Sequence, residues 1–166
     1  MIFVTVGTHE QPFNRLIQYM DQLKEHERIL EEVILQTGFS TYIPRFCKWE
    51  KLFSYQEMTE YVEQARIVIT HGGPSSFIAA LQKGKIPIVV PRQKQFGEHV
   101  NDHQLDFAKT VQERYKNIIV ISDICTLEET IRNYENLIEH MPVQPKSNHE
   151  VFMKNLEAIV NTLMRD

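Results

Sequence analysis

The sequence predicts an α/β fold in which a parallel sheet of about six strands lies between two layers of helices. Short apolar runs rich in β-branched residues alternate along the chain with segments of helical periodicity. This alternation favours right-handed crossovers, which cover both faces of a parallel sheet with helices. A length of 166 residues suits one domain with a substantial core.

The first half of the chain supplies three of the predicted strands and two helices. An initial β-branched run stops at Gly7, and Pro12 then opens a pattern of apolar residues at helical spacing. Ser54 and Glu57 have the spacing of a capping box, so we expect a helix that begins there. The predicted strands are residues 2–6, 32–37 and 46–53.

The second half continues the same alternation. Unbroken apolar character over residues 66–70 is typical of a central parallel strand, and Gly84 can end the helix that follows. The next strand has prolines near both ends, where donors to the ladder are least needed. The predicted strands are residues 66–70, 86–91 and 117–122, and the helices are residues 75–83, 101–116 and 127–140.

The pattern divides the chain into two parts of unequal size. Residues 1–140 are expected to form a Rossmann-like domain, and residues 141–166 a linker with a final helix. Pro142 and Pro145 mark the linker. Apolar residues at helical spacing within residues 150–164 form a stripe that could pack on the domain or on a partner.

Composition and charge exclude several classes of function. The net charge is -4 and the basic residues are scattered, so nothing favours nucleic acid as a partner. Cys47 and Cys125 form no CxxC pair and are too few for a disulfide framework, which indicates reduced thiols in a cytosol. The first residues lack a basic leader, and no span approaches the roughly 20 apolar residues of a membrane helix. We therefore expect a cytoplasmic protein.

Motif searches disfavour three common enzyme classes. The chain has no Gly-x-Ser-x-Gly elbow, although His71-Gly72-Gly73 resembles a lipase oxyanion loop. It also has no Gly-x-Gly-x-x-Gly after the first strand and no Gly-x4-Gly-Lys-[Ser/Thr] loop. A serine hydrolase, a dinucleotide oxidoreductase and a P-loop NTPase are therefore disfavoured.

The strongest candidate site is the segment His71-Gly72-Gly73-Pro74-Ser75-Ser76, which follows a predicted central strand. The glycine pair is expected to provide positive φ and close backbone approach, and Ser75 and Ser76 fall on the first helical turn. Free N–H groups and hydroxyls at the positive end of a helix dipole suit a diphosphate. The alternative is a tight turn with an ordinary serine cap. Gly7 and Thr8 end another strand in the same way, which strengthens the phosphate hypothesis.

His71 immediately precedes the glycines, and two roles are open to it. Its imidazole could donate to a phosphate oxygen or stabilise a departing diphosphate. Alternatively, it is a satisfied polar residue at the end of a strand.

A second polar cluster lies within residues 95–104. Its members are Glu98, His99, Asn101, Asp102, His103 and Gln104. Acceptors and amides at this density suit the hydroxyls of a sugar, since each hydroxyl both donates and accepts. Two alternatives remain: Asp102 is only an acidic residue in a first helical turn, or His99 and His103 form an i,i+4 zinc pair.

These motifs together resemble the glycosyltransferase family 28 C-terminal domain, which is the donor-binding half of GT-B enzymes. The resemblance covers nearly the whole chain, and it is greatest to single-domain bacterial exopolysaccharide or capsule galactosyltransferase subunits. It extends to the catalytic subunit of the two-part N-acetylglucosaminyltransferase of dolichol-linked glycan synthesis. The matching segments are residues 4–8, 70–76, 84–87, 90–91 and 102–104.

The resemblance implies inverting, metal-independent transfer of a hexose, with galactose favoured, from a UDP-sugar to a polyprenyl-diphosphate-linked acceptor. It implies no cofactor, and it assigns the diphosphate to the glycine turn with His71 beside it. Asp102 and Gln104 match the pair that contacts the donor sugar. The expected substrate-binding residues are Gly7, Thr8, Gly72, Gly73, Ser75, Ser76, Glu98, His99, Asp102, His103 and Gln104.

The family pattern is incomplete in two respects. A ribose-binding glutamate is usual in the helix after the serines, and Ala79 stands at that position. By this resemblance the chain corresponds to only half of a GT-B enzyme, which implies a membrane-anchored partner subunit that binds the lipid-linked acceptor and holds this chain at the inner face of the membrane. If the catalytic base lies in this chain, His9 is the candidate. The alternative, which Ala79 supports, is a non-catalytic subunit that binds a sugar nucleotide or scaffolds a membrane glycosyltransferase complex.

Overall fold

The computed structural model describes residues 1–142, and within them six strands form one sheet with six α-helices around it. The strands are β1 (Ile2–Thr5), β2 (Val33–Gln36), β3 (Lys48–Glu50), β4 (Ile67–His71), β5 (Ile88–Val90) and β6 (Ile119–Val120). The helices are α1 (Asn14–Glu25), α2 (Tyr55–Gln64), α3 (Pro74–Gln82), α4 (His103–Tyr115), α5 (Leu127–Arg132) and α6 (Tyr134–Ile138). Short 3₁₀ turns at Lys94–Phe96 and Ile124–Thr126 precede α4 and α5.

All neighbouring strands of the sheet are parallel, in the order β3-β2-β1-β4-β5-β6. In the centre, Ile2 of β1 is in register with Val33 of β2 and with Ile67 of β4. This doubly wound order reverses between β1 and β4, and ligands bind outside the carboxyl ends of the strands at such a switch point. The predicted α/β three-layer sandwich with a parallel sheet is confirmed.

Successive residues of the central strands face opposite helix layers, as the pleat of a strand requires. Ile2 and Val4 share a core with Leu16 of α1, whereas Phe3 packs in a second core with Val62 of α2. All residues of β1 and β4 are buried, because helices cover both faces of the sheet there. The loops at the carboxyl ends of β1 and β4 therefore begin from strands that are packed on both faces.

Local sequence signals act at the ends of several elements as predicted. The Ser54 hydroxyl accepts from the Glu57 N–H at 3.2 Å, and the Glu57 carboxylate accepts from the Ser54 N–H at 2.8 Å. This capping box starts α2. Gly84 has φ +71° directly after α3, so the predicted left-handed residue is confirmed.

Three predicted elements differ from the structure. The strand predicted over residues 117–122 is only the two-residue β6. The strand predicted over residues 46–53 is only the edge strand β3, whose three residues are all exposed, since it pairs with β2 alone. The helix predicted over residues 127–140 is divided into α5 and α6 at Asn133. The buried Tyr134 donates its hydroxyl to the Ile86 carbonyl at 2.6 Å, which turns the second segment toward the core.

The linker and final helix predicted over residues 141–166 lie, beyond Pro142, outside the described residues. Within residues 1–142, no helix has both the length and the apolar character that crossing a bilayer requires. Cys47 is buried, Cys125 is exposed, and both are free thiols.

Candidate functional site

Three loops meet at the carboxyl edge of the sheet, at the switch point between β1 and β4. Residues 6–9 follow β1, the pair Gly72-Gly73 follows β4, and residues 91–102 connect β5 to α4. Because β1 pairs with β4 and β4 with β5, these loops are neighbours in space although they are distant in sequence. The structure thus brings together the segments that the sequence analysis identified separately.

His71 lies at the centre of this edge, with its imidazole packed between two glycines. The side chain is buried, and a Cβ atom at Gly7 would lie 2.4 Å from its Cε1. A Cβ atom at Gly73 would lie 2.3 Å from its Nε2. Gly7 also has φ +74°, so this position requires glycine for both space and conformation.

The glycine pair has a different purpose from the one predicted. Neither Gly72 nor Gly73 has positive φ, so the expectation of a left-handed turn there is wrong. Gly73 makes room for the His71 ring, and a Cβ atom at Gly72 would lie 2.8 Å from the Cβ of Gln104. Close packing of side chains against the turn is therefore the reason for both glycines.

The imidazole of His71 is neutral at physiological pH. Burial in the first place, and the positive charge of Arg92 in the second, lower the pKa of His71 to about 4. A neutral imidazole donates one hydrogen bond but brings no positive charge to a diphosphate. Of the roles considered for His71, donation to a phosphate oxygen fits this protonation state.

Ser75 and Ser76 occupy the first turn of α3, as predicted. The N-cap is Gly73, and no side chain caps the helix, so the alternative of an ordinary serine cap is wrong. Ser75 is exposed and Ser76 half-buried, which leaves both hydroxyls accessible to a ligand. The positive end of the nine-residue α3 therefore faces outward beside His71.

Gln104 and Asp102 organise the third loop. The Oε1 atom of Gln104 accepts from the Gly72 N–H at 3.1 Å and from the Arg92 N–H at 3.2 Å, which ties the ends of β4 and β5 together. The Oδ1 atom of Asp102 accepts from the Lys94 N–H at 2.8 Å instead of capping α4. The Asp102 side chain is exposed at the rim.

The structure gives Glu98 a different role from the predicted one. Glu98 is only 3% exposed, and the Oε1 atom accepts from Arg15 Nε at 2.8 Å. The Oε2 atom accepts from Arg15 Nη2 at 2.9 Å and from the Gln93 N–H at 3.0 Å. Both carboxylate oxygens are therefore held by the protein, and Glu98 shapes the loop after β5 instead of presenting an acceptor to a sugar.

Arg92 is fully buried beneath the same loops. Its Nη1 atom donates to the carbonyls of Gln11 at 2.7 Å and Glu98 at 3.2 Å, and its Nη2 atom donates to the carbonyl of Val6 at 3.0 Å. The guanidinium carbon lies 4.9 Å from the centroid of the Phe13 ring. Burial lowers the pKa of Arg92 to about 10, while Glu98 opposes this shift, so the side chain stays charged at neutral pH.

Arg92 and Arg15 are functional residues that the sequence did not predict. In the sequence each is an isolated basic residue, and neither belongs to a motif. One signal was available: an arginine directly after the apolar strand and Pro91, with a glutamate six residues later, places opposite charges at the end of a buried element.

His9 and His99 come from different loops, and their rings lie 4.9 Å apart between centroids. His9 Nδ1 accepts from the Gln11 N–H at 3.1 Å, and His99 Nδ1 accepts from the Asn101 N–H at 3.4 Å. A neutral imidazole that accepts at Nδ1 carries its proton at Nε2, so each ring presents a donor. Partial desolvation, then Arg92, lower the pKa of His9. This arrangement does not support the expected role of His9 as a base, because its free nitrogen lone pair is already engaged.

Thr8 and His103 are both exposed at the rim of the site. The zinc alternative for His99 and His103 lacks its geometric basis, because α4 begins only at His103. Among the residues that the structure describes, no three His, Cys, Asp or Glu side chains are grouped so as to hold a metal ion.

A cleft of about 240 Å³ opens beside the serines, between α2 and α3. Ala79 lies in its wall, so the helix presents no carboxylate there, while Gln82 contributes an amide one turn later. The lining residues are Thr5, Tyr55, Met58, Thr59, Val62, Val68, Ser75, Ser76, Ala79, Gln82 and Lys83.

A doubly wound sheet with a glycine turn and an open helix N-terminus at its switch point is the architecture of α/β domains that bind phosphorylated ligands. More specifically, the chain belongs to the glycosyltransferase family 28 C-terminal domain, which it matches over residues 1–160. The family expected from the motifs is therefore confirmed.

Known proteins agree with this assignment. The chain is 34% identical over 117 residues to the UDP-N-acetylglucosamine transferase subunit ALG13 of Homo sapiens, covering 65% of this chain and 10% of that protein. The corresponding subunit of Mus musculus is 32% identical over 117 residues, covering 64% of this chain and 9% of that protein. The chain thus spans about a tenth of the length of these relatives.

The fold recurs in a larger enzyme of known structure. The crystal structure of the glycotransferase of kitacinnamycin superposes with a TM-score of 0.56 at 19% sequence identity, covering 82% of this chain and 34% of that one. At this identity the similarity concerns the fold, and it agrees with the predicted GT-B half.

Proposed function

We propose that this chain is the donor-binding, catalytic subunit of a glycosyltransferase that transfers a hexose from a UDP-sugar to a polyprenyl-diphosphate-linked acceptor in exopolysaccharide or capsule synthesis. Galactose is the proposed sugar, although the curated relatives carry the name of UDP-N-acetylglucosamine transferase subunits. The single observation that carries the proposal is the open N-terminus of α3 at the switch point of the sheet.

The donor is proposed to lie across the three loops. Its diphosphate contacts the first turn of α3 with Ser75 and Ser76, and its sugar extends toward Asp102 and Gln104. The nucleoside then occupies the cleft between α2 and α3, where Gln82 offers its amide to the ribose in the absence of a carboxylate at Ala79.

Transfer with inversion needs an acceptor oxygen that attacks the anomeric carbon from the face opposite the leaving group. The bond from this carbon to the diphosphate breaks, and UDP leaves with the electron pair. The helix dipole, the serine hydroxyls and the neutral imidazole of His71 stabilise the developing negative charge at the diphosphate. In this proposal the protein contributes hydrogen bonds and dipoles at that position.

The proton of the acceptor hydroxyl needs a base, and the Nδ1 atom of His9 already accepts from the Gln11 N–H. We therefore place the base with the acceptor, on a membrane-anchored partner subunit at the inner face of the membrane. The partner binds the lipid-linked sugar and brings it to the rim formed by the three loops.

Calorimetric titration tests donor binding directly. UDP, UDP-galactose and UDP-N-acetylglucosamine should bind wild type, and Ser76→Ala should weaken binding about tenfold, since a hydrogen bond to a charged group is lost. Ser122→Ala, an exposed serine of another loop, is the matched control and should bind normally. Equal affinities of all three proteins for UDP would remove the phosphate assignment.

A second candidate is a subunit that binds a sugar nucleotide without catalysing transfer. The absence of a carboxylate at Ala79 and the hydrogen bond that His9 Nδ1 already accepts favour it. Transfer assays with and without the proposed membrane-anchored partner subunit separate the two functions. Transfer that needs both proteins supports catalysis here, whereas transfer by the membrane-anchored subunit without this chain supports the binding subunit.

A further inference from the structure

The geometry points to Arg92 as a positioning residue: its buried guanidinium holds the loop after β1 and the loop after β5 in one arrangement, so that groups on both loops face the same ligand. The identity of that ligand, UDP, rests on the proposed function. The contacts of Arg92 themselves do not depend on it.

The three carbonyls that accept from Arg92 are placed so as to fix both loops. Val6 and Gln11 bracket the four residues between them, which include Thr8 and His9, and Glu98 directly precedes His99. One side chain thus holds both ends of the first loop and the centre of the third. A planar guanidinium with several donors can do this, whereas a lysine ammonium on a flexible stem cannot keep the same geometry.

The buried charges oppose any separation of the loop after β1 from the loop after β5. The Glu98 carboxylate pairs with Arg15 and also favours the charged form of Arg92, so two positive charges and one negative charge give this cluster a net positive charge of one. Moving either loop away would leave buried donors of Arg92 without acceptors, which costs more than an equal change at the surface. Burial therefore links the positions of the two loops.

The contact between His9 and His99 is a consequence of this link. The two rings belong to the two loops that Arg92 joins, and they lie 4.9 Å apart between centroids. Arg92 thus fixes the spacing of the two rings through the backbone of both loops, since its hydrogen bonds go to carbonyls and not to either imidazole. Groups on both loops can then approach one bound molecule together.

The test compares Arg92→Lys and Arg92→Met with the control Arg66→Met. In wild type, Arg66 pairs with Glu31 and Glu135 at the amino ends of the strands, away from the site. Hydrogen exchange of the ligand-free proteins should show at least tenfold faster exchange in residues 7–11 and 93–101 of Arg92→Met, with unchanged exchange in β2 and α2. Calorimetry should show UDP binding at least tenfold weaker. Compared with Arg92→Met, Arg92→Lys keeps the positive charge, so the pKa of His71, measured by NMR, should be low as in wild type. The protection of the two loops and the affinity for UDP should still be lower than in wild type.

Unchanged exchange in both loops, or equally faster exchange throughout the domain, would overturn the positioning role. If Arg92→Met does not fold, Arg92→Lys alone decides, since it must still loosen the two loops together. If wild type binds no UDP, the proposed function fails, while the exchange of the ligand-free loops still decides the role of Arg92.

Discussion

The two edges of the sheet use the same kinds of residue in opposite environments. At the carboxyl edge, Arg15 and Glu98 form a salt bridge, and the exposed fractions of their side chains are 13% and 3%. At the amino edge, Arg66 pairs with Glu31 and Glu135, and the exposed fractions of these side chains are 40%, 25% and 64%. Both edges are therefore crossed by ion pairs, but only one pair network is enclosed by the protein.

The difference in burial affects the positions of the loops more than the net stability of the fold. Exposed pairs contribute little, because water screens the charges and the long side chains lose entropy when they pair. A buried pair adds little net stability either, yet breaking it leaves an uncompensated charge and is costly. The amino edge can therefore tolerate change, while the carboxyl edge holds its loops in one arrangement, as a site for a specific ligand requires.

The largest expected effect is that of Glu98→Gln compared with Glu31→Gln. An amide in place of Glu98 removes the anion that pairs with the largely enclosed Arg15 and that favours the charged form of the buried Arg92, so we expect the free energy of unfolding to fall by about 4 kcal/mol. For Glu31→Gln at the exposed edge we expect a loss below about 1 kcal/mol. Urea unfolding of both variants measures the difference, and equal losses would contradict the comparison.

Two glycines with nearly the same backbone conformation provide the next comparison. Gly7 has φ +74° and packs on His71, whereas Gly84 has φ +71° and nothing within 4 Å of an added Cβ atom. Gly84→Ala should lower the free energy of unfolding by about 1 kcal/mol, because alanine is strained in the left-handed conformation. Gly7→Ala should lower the free energy of unfolding by about 3 kcal/mol, because the His71 ring must also move.

The double variant Gly7→Ala with His71→Ala isolates the packing effect. Removing the ring should recover part of the loss from Gly7→Ala, so the two changes should be less than additive in urea unfolding. Strict additivity would show that Gly7 and His71 do not pack as described.

The edges should also lose stability in different pH ranges. The pKa of His71 is about 4 in the folded protein and near 6.5 when unfolded, so the unfolded state takes up the proton first as the pH falls. Stability from neutral His71 is present above pH 6.5, and about 2 kcal/mol is lost between about pH 7 and 5. His71→Gln should abolish this slope in urea unfolding across that range.

At the amino edge the corresponding loss comes at lower pH. Burial opposes ionisation of Glu31, but hydrogen bonds from Arg66 and the N-terminal amine outweigh it and lower the pKa of Glu31. Its contribution is therefore kept above the ordinary pKa of a glutamate and lost as the pH falls below it. Glu31→Gln should leave the slope between about pH 7 and 5 unchanged. A slope altered by Glu31→Gln and kept in His71→Gln would reverse the assignment of the two edges.

The smallest effect is expected for Arg66→Met at the exposed edge. The free energy of unfolding should fall by less than about 1 kcal/mol, and the difference from wild type should vanish in about 1 M salt, which screens surface charges. Thermal unfolding at low and high salt measures it. A large loss of stability that persists in high salt would show that the ion pairs of the amino edge are shielded from solvent like those of the carboxyl edge.

The fold and the location of the site could be predicted because both follow from local signals. The alternation of strand and helix periodicity fixes the layers. Gly72 directly follows β4 and Asp102 lies in the loop after β5, so both segments had to lie at the carboxyl edge of the sheet. The division of the helix at Asn133 was missed, because the buried hydroxyl bond of Tyr134 to Ile86 joins residues 48 positions apart.

The function of individual side chains within the site was less accessible from the sequence. Glu98 has the chemistry of a sugar ligand, and only its contact with Arg15, 83 positions away, shows that its oxygens are occupied. Arg92 contacts Val6, 86 positions away, and no pattern along the chain indicates this pair. Long-range polar contacts depend on the assembled sheet, whereas periodicity reports only which face of an element is buried.

The central claim is that the carboxyl edge between β1 and β4 holds the diphosphate of UDP. A crystal structure of the protein with saturating UDP tests it most directly. We predict diphosphate density within hydrogen-bond distance of Ser75 or Ser76, beside His71, with the uridine in the cleft lined by Ala79. Density for UDP at the amino edge near Arg66, or none at either edge, would contradict the account.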